Sequence, residues 1–191
     1  MAKSGYKLCV FCSANSGLSE AVFRAADEFC DVLKEKEGQL LYGGGRFGLM
    51  GHFADQCLKR GVRVRGATTK RLDETFETAY RGIDELIIVP DLFERKRWFL
   101  NEADAFVIFP GGIGTLDEAL EVITWKSLGE LYKPIIFVNI DGFWDSTFRM
   151  FDDLMSKNVL RADAIATYTV VDSGRGVFAA LDRAVKLGPE N

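Results

Sequence analysis

The sequence is short of histidine, of cysteine, of net positive charge and of long apolar runs, and each shortage closes off a class of function. The single histidine, His52, falls in a helical stretch, so a Ser-His-Asp triad has little to build on. His, Cys and Asp occur together at none of the usual metal-ligand spacings, and no metal site is expected. A formal net charge of −4 argues against a sequence-independent grip on nucleic acid, which needs a basic face. No apolar run approaches bilayer length, and "MAKSGYKLCVFC" at the start offers only Leu8–Cys12, too short for a signal-peptide core. The expectation is a cytoplasmic protein that meets neither membrane nor nucleic acid. Of the four cysteines, Cys9 and Cys12 have the C-x-x-C spacing of a redox or zinc pair. No second pair follows and the flanks read as a buried strand, so free thiols in a reducing compartment are the plainer account.

What is present is regular. The 191 residues, 48% hydrophobic and 27% charged, suit one globular domain over 1–191. Short apolar runs at Lys7–Cys12, Gln39–Tyr42, Val62–Gly66, Glu85–Pro90, Ala105–Phe109, Pro134–Asn139 and Thr169–Val171 read as strands. Helical patterns lie between and after them, at Glu20–Glu37, Leu49–Arg60, Phe93–Glu102, Thr115–Ser127, Trp144–Lys157 and Gly176–Leu187. This alternation predicts a Rossmann-like, doubly wound α/β fold, a mostly parallel sheet with helices on both faces. The alternating "VRVRG" of Val62–Gly66 reads as an outer strand. The polar Thr68–Gly82 segment reads as a short helix and loop near the sheet's carboxyl edge. Ligands of such sheets sit beyond the carboxyl ends of the strands, which makes Cys12–Gly17, Gly43–Gly48, Asp91–Arg97 and Pro110–Glu118 the stretches to watch.

Two of these are glycine loops. Gly43-Gly44-Gly45-Arg46-Phe47-Gly48 satisfies G-x-G-x-x-G, but the acid expected about twenty residues later is missing from "VRVRGATT". Its glycines serve a sharp turn, close packing, or room for a ligand. "PGGIGT", Pro110–Thr115, points backbone amides inward at a helix start, a good seat for a phosphate. It is no Walker loop, because no Lys-Ser/Thr pair follows. Locally, Thr115-Leu116-Asp117-Glu118 also reads as a capping box, which leaves capping and chemistry both open for Glu118. In "DLFERKRWFLNEADAF", Asp91, Glu94, Arg95, Lys96 and Arg97 cluster at a helix start, with Leu92, Phe99 and Ala103 able to face the core. Such a cluster is usually a solvated face. Three cations there sit awkwardly with the helix dipole, which favours a functional reading. Carboxylate and arginine beside an anion site suit cleavage of a glycosidic bond in a phosphorylated sugar.

"PGGIGTLDE", preceded by "ERK" and "YGGGRFGLMG", resembles the LOG family of cytokinin riboside 5′-monophosphate phosphoribohydrolases. The likeness runs from about Leu8 to Leu160 and includes "LEVITWKSLG" and "KPIIFVNIDGFWD". It implies hydrolysis of a nucleoside 5′-monophosphate to free base and ribose 5-phosphate, no cofactor, and a homodimer or higher oligomer with active sites near the subunit interface. The family's catalytic arginine falls on Arg95 and its glutamate on Glu118, its phosphate loop on Gly111, Gly112, Gly114 and Thr115, and neighbouring motif positions on Lys96 and Glu121. Ser13, Gly44, Gly45 and Leu92 complete the substrate-binding set that the resemblance implies.

The sequence departs from the family at Ser13-Ala14-Asn15, at Thr68-Thr69 and at Leu92, all near the expected base. The base is therefore open between N6-prenylated adenine and plain AMP or another nucleotide, with Phe47, Leu92, Trp98 and Trp125 as candidate apolar lining or as core. Leu120, Ile123, Trp125 and Leu128 spread over more than one face of their helix, as a subunit interface requires. Three rivals compete. A nucleotide or molybdenum-cofactor carrier need not keep Arg95 with Glu118, and a nicotinamide oxidoreductase lacks its ribose-binding acid. A pyridoxal-phosphate decarboxylase lacks a lysine between Arg97 and Lys126.

Overall fold

The protein is described by a computed structural model over residues 5–76 and 78–187. The one-domain reading of 1–191 therefore touches residues 1–4, 77 and 188–191, which lie outside the described ones. Strands β1 (Lys7–Phe11), β2 (Gln39–Tyr42), β3 (Arg63–Thr69), β4 (Glu85–Val89), β5 (Ala105–Ile108), β6 (Ile135–Val138) and β7 (Thr169–Val171) form one sheet. Helices α1 (Glu20–Glu35), α2 (Gly48–Lys59), α3 (Lys70–Phe76), α4 (Leu92–Glu102), α5 (Ile113–Ser127), α6 (Asp145–Ser156), α7 (Ala162–Ile165) and α8 (Gly176–Leu187) connect and follow them. The order is β4-β3-β2-β1-β5-β6-β7 and every pairing is parallel, so the sheet is doubly wound.

Burial on both faces explains the unbroken apolar strands. Along β1 and just past it, Leu8, Val10 and Cys12 point into a core shared with α1, α2 and α8. Cys9 and Phe11 point into the opposite core, with Phe99 and Ala119 from α4 and α5 and Trp144 at the start of α6. Cys9 and Cys12 thus face opposite sides of the sheet, as an odd spacing in a strand requires, and both thiols are buried and free. Edge-to-face contacts join Phe29 to Phe53 and Phe109 on one side and Phe11 to Phe99 on the other. No helix among the described residues is long and apolar enough to cross a membrane.

Two expectations need correction. β3 is not an outer strand: it lies between β2 and β4, and β4 forms the edge. Its charged alternation is tolerated because Arg65 is paired on both sides. Nε meets Glu85 of β4 at 2.6 Å, Nη1 meets Glu102 of α4 at 2.6 Å, and the guanidinium lies over Trp98 at 5.3 Å. The strand also runs on to Thr69, since Thr68 and Thr69 are buried and pair with Ile88 and Val89. α7 has no counterpart in the sequence reading, because a helix of four residues carries no apolar period. The remaining elements fall within two residues of their expected ends, apart from α3, which the sequence placed only loosely.

The Arg65 pairs hold both partner carboxyls below the ordinary glutamate value of 4.5. Their stabilisation is present above that value and fades as pH falls through the lowered one. Arg65→Ala is expected to cost about 1–3 kcal/mol at pH 7 in urea unfolding, since it strips two half-buried carboxylates of a shared partner. The gap from wild type should narrow as pH falls below 4.5.

Candidate active site

The chain winds outward in one direction from β1 and in the other from β5, so the loops after these neighbouring strands part and leave a crevice. A cavity of about 330 Å³ opens there, lined among others by Ser13, Met50, Leu92, Arg95, Thr115 and Glu118. Ser13 fastens its three walls. Its N–H donates to the Pro110 carbonyl (3.1 Å), its carbonyl accepts from the Met50 N–H (3.1 Å), and its hydroxyl accepts from the Asn15 N–H (2.9 Å).

The far wall is the start of α5. Thr115 and Glu118 do not form the expected capping box, because the helix begins two residues before Thr115. Extended Gly112 (φ −99°, ψ −153°) is the N-cap, and it has no side chain to cap with. Gly111 accepts this course because Thr115 lies directly on it, where a β-carbon would fall 2.1 Å from the threonine hydroxyl oxygen. The amides of Ile113, Gly114 and Thr115 occupy the first turn and have no intrahelical acceptor. The first such bond belongs to Leu116, which donates to Gly112 at 3.0 Å. Three amides and the positive helix end thus face a cavity, the arrangement that receives a phosphate.

A turn and a half along α5 from its start, Glu118 is buried, with 8% of its surface exposed. Its Oε1 lies 3.4 Å from Nη2 of Arg95 on α4. Burial pushes the Glu118 carboxyl up to about 7, against the lowering pull of Arg95. Asp91 caps α4 by accepting from the Glu94 N–H at 2.9 Å, which brings Arg95 one turn in and turns it toward the sheet. The guanidinium lies over the Phe99 ring at 5.4 Å, and its buried Nε has no hydrogen-bond partner among the described residues. The solvated-face reading holds for Arg97, which pairs with Glu94 in water, and fails for Arg95 and Lys96.

Lys96 reaches across to α5, where its ammonium meets Asp117 at 2.9 Å and Glu121 at 3.4 Å. Burial opposes its charge, but these carboxylates outweigh that and hold the ammonium above its ordinary value. Cys12 lies at the cavity floor, its thiol pushed well up by burial and then by Glu118, so it stays protonated and is a poor nucleophile.

Of the residues singled out by sequence, Arg95, Glu118, Lys96, Gly112, Gly114, Thr115, Ser13 and Leu92 line the cavity. Leu92 does so half-exposed and outside the core that the sequence suggested for it. Gly111 supports Thr115, and Glu121 anchors Lys96 from behind. Gly44 and Gly45 lie outside the lining: Gly44 (φ +72°) backs onto Ala67 and Leu86, and Gly45 forms a bridge with Ala79. Phe47 and Trp125 are exposed elsewhere, and Trp98 packs beneath Arg65. Asn15 and Ile113 line the cavity from the two loops marked in the sequence, whereas Met50 lines it without having been anticipated. Met50 carries neither a charge nor a spacing that marks it in the sequence.

Comparison with known proteins identifies the family. The family model described as "Possible lysine decarboxylase" matches residues 50–181. The chain is 40% identical over 158 residues to a protein of Oryza sativa subsp. japonica described as "Probable cytokinin riboside 5'-monophosphate phosphoribohydrolase LOGL1", covering 82% of this chain and 70% of the relative. It is 37% identical to the cytokinin riboside 5′-monophosphate phosphoribohydrolase LOG2 of Arabidopsis thaliana, covering 83% and 74%. Among solved structures, the Moco carrier protein of Chlamydomonas reinhardtii superposes with a TM-score of 0.70 at 16% identity, covering 96% and 99%, which establishes a shared fold alone. With close relatives matched over most of its length, the chain belongs to the LOG family of cytokinin riboside 5′-monophosphate phosphoribohydrolases.

Proposed function

We propose that the protein hydrolyses the N-glycosidic bond of a nucleoside 5′-monophosphate whose base is an N6-prenylated adenine, releasing free base and ribose 5-phosphate. The observation that carries this reading is the buried Arg95–Glu118 pair beside the uncapped start of α5. The amides of Ile113, Gly114 and Thr115 would hold the 5′-phosphate, whose binding energy sets the anomeric carbon against the pair. As the bond from that carbon to the base nitrogen breaks, its electron pair leaves with the base and positive charge develops on the sugar. The Glu118 carboxylate opposes that charge and orients the attacking water, which forms the new bond to the anomeric carbon. One water proton goes to the departing base and the hydroxyl stays on the ribose. Arg95 would hold phosphate or ring oxygens and balance Glu118 between turnovers. Met50, Leu92 and Ile113 supply apolar surface at the cavity for the prenyl group.

A carrier of related fold gives the Arg95–Glu118 pair no work. A pyridoxal-phosphate decarboxylase does not fit the residues either. Among the described residues the one lysine lining the cavity is Lys96, clamped by two carboxylates in its charged form, whereas a Schiff-base lysine must be free and unprotonated. We place the protein in the cytoplasm, where four buried free thiols are at home. Ile113, Leu120, Trp125 and Leu128 of α5 and its end are exposed apolar groups suited to a homodimer beside the site.

Incubation with nucleoside monophosphates, with and without N6-prenyl groups, should release free base, fastest from the prenylated adenine nucleotide. No base from any member would overturn the reading. Arg95→Ala and Glu118→Ala should each lower kcat at least ~10²-fold while the melting transition persists. Because Glu118 acts ionised and its carboxyl lies at about 7, kcat should rise with pH through that value and fall roughly tenfold per unit below it. A profile flat from pH 5 to 8 would contradict its role.

A further inference from the structure

We propose that Gly43, at the end of β2, is a positioning residue for Arg95: its missing side chain leaves the space into which the guanidinium folds to reach Glu118. A β-carbon at Gly43 would lie 2.4 Å from Nη2 of Arg95, the same atom that stands 3.4 Å from the Glu118 carboxylate. Its other near neighbours are the terminal atoms of Met50 at 3.3 Å, which can yield. The guanidinium also lies over the Phe99 ring, its carbon 5.4 Å from the ring centre.

The guanidinium is thus held by shape, against a bare backbone and an aromatic face. Its Nε remains buried and unpaired among the described residues. The loop does not need glycine at 43 for its backbone. Gly44 and Gly48 take left-handed φ values of +72° and +58°, whereas Gly43 does not. Alanine at 43 therefore meets no backbone strain, and what it strikes is the far end of a flexible side chain. The fold can absorb that displacement, whereas a reaction that depends on the geometry of Arg95 and Glu118 cannot.

The catalytic consequence rests on the phosphoribohydrolase reading, but the contact itself does not, and the test separates them. The groups facing Glu118 are Arg95 and Lys96 from α4, Asp117 and Glu121 from α5, and the Cys9 and Cys12 thiols from β1 and its end. Pushing Arg95 away weakens the main cation that holds this carboxyl down. In Gly43→Ala, kcat should fall ~10–100-fold. The Glu118 carboxyl, followed by 13C NMR in the substrate-free protein and assigned with Glu118→Gln, should titrate higher than in wild type, toward its value in Arg95→Ala. Adding G43A to R95A should change neither quantity further. Wild-type kcat with an unshifted titration in G43A would overturn the proposal. Should G43A fail to fold, G43A/R95A is expected to fold as R95A does, because the colliding atom is gone, and an equally unfolded double variant would overturn it too. If wild type releases no base, the titration still decides the role of Gly43 and only the proposed reaction fails.

Discussion

The buried ion pair between Arg95 and Glu118 is the constraint around which this structure is arranged. A carboxylate with 8% of its surface exposed is costly to ionise, and a single guanidinium contact at 3.4 Å does not offset that cost fully. The carboxyl accordingly sits near 7 rather than at its ordinary 4.5. The pair contributes little to stability and leaves a group able to change charge close to neutrality. Each helix supplies one partner, so α4 and α5 must meet across the cavity. They do so because both begin at the carboxyl edge of the sheet. The second bridge, from Lys96 to Asp117 and Glu121, holds the same two helices in register.

The sheet order makes such a site available. Where β1 and β5 lie side by side, their following loops run to opposite faces, and the gap between them belongs to neither. The local details then give the gap a polarity. A glycine N-cap leaves the first amides of α5 unmet on one wall, and the aliphatic ends of Met50 and Leu92 line another. Anion, charge pair and apolar surface are thereby brought within one cavity of about 330 Å³.

Much of this was legible in the sequence, and the rest was hidden for physical reasons. Strands such as Gln39–Tyr42 and Thr169–Val171 announce themselves by apolar runs bounded by polar turns, and Arg95 and Glu118 by the motif that contains them. The place of β3 was not readable, because the carboxylates that tame Arg65 come from β4 and α4 and only the folded chain assembles them. The start of α5 was placed two residues late because Gly112-Ile113-Gly114 has poor helix propensity. The task of Gly43 was invisible for the opposite reason: a glycine's function can lie in what its neighbour occupies. The motif marked Lys96, but its two acceptors, four residues apart on α5, are brought to it only by the folded chain.

The most direct test of the central claim, that Arg95 and Glu118 act as one unit, is a double-variant cycle on kcat/KM for nucleotide cleavage with Arg95→Ala, Glu118→Gln and the two combined. A single unit predicts strong non-additivity, the double variant losing scarcely more than the worse single one. Losses that multiply, as for two residues working independently, would contradict it.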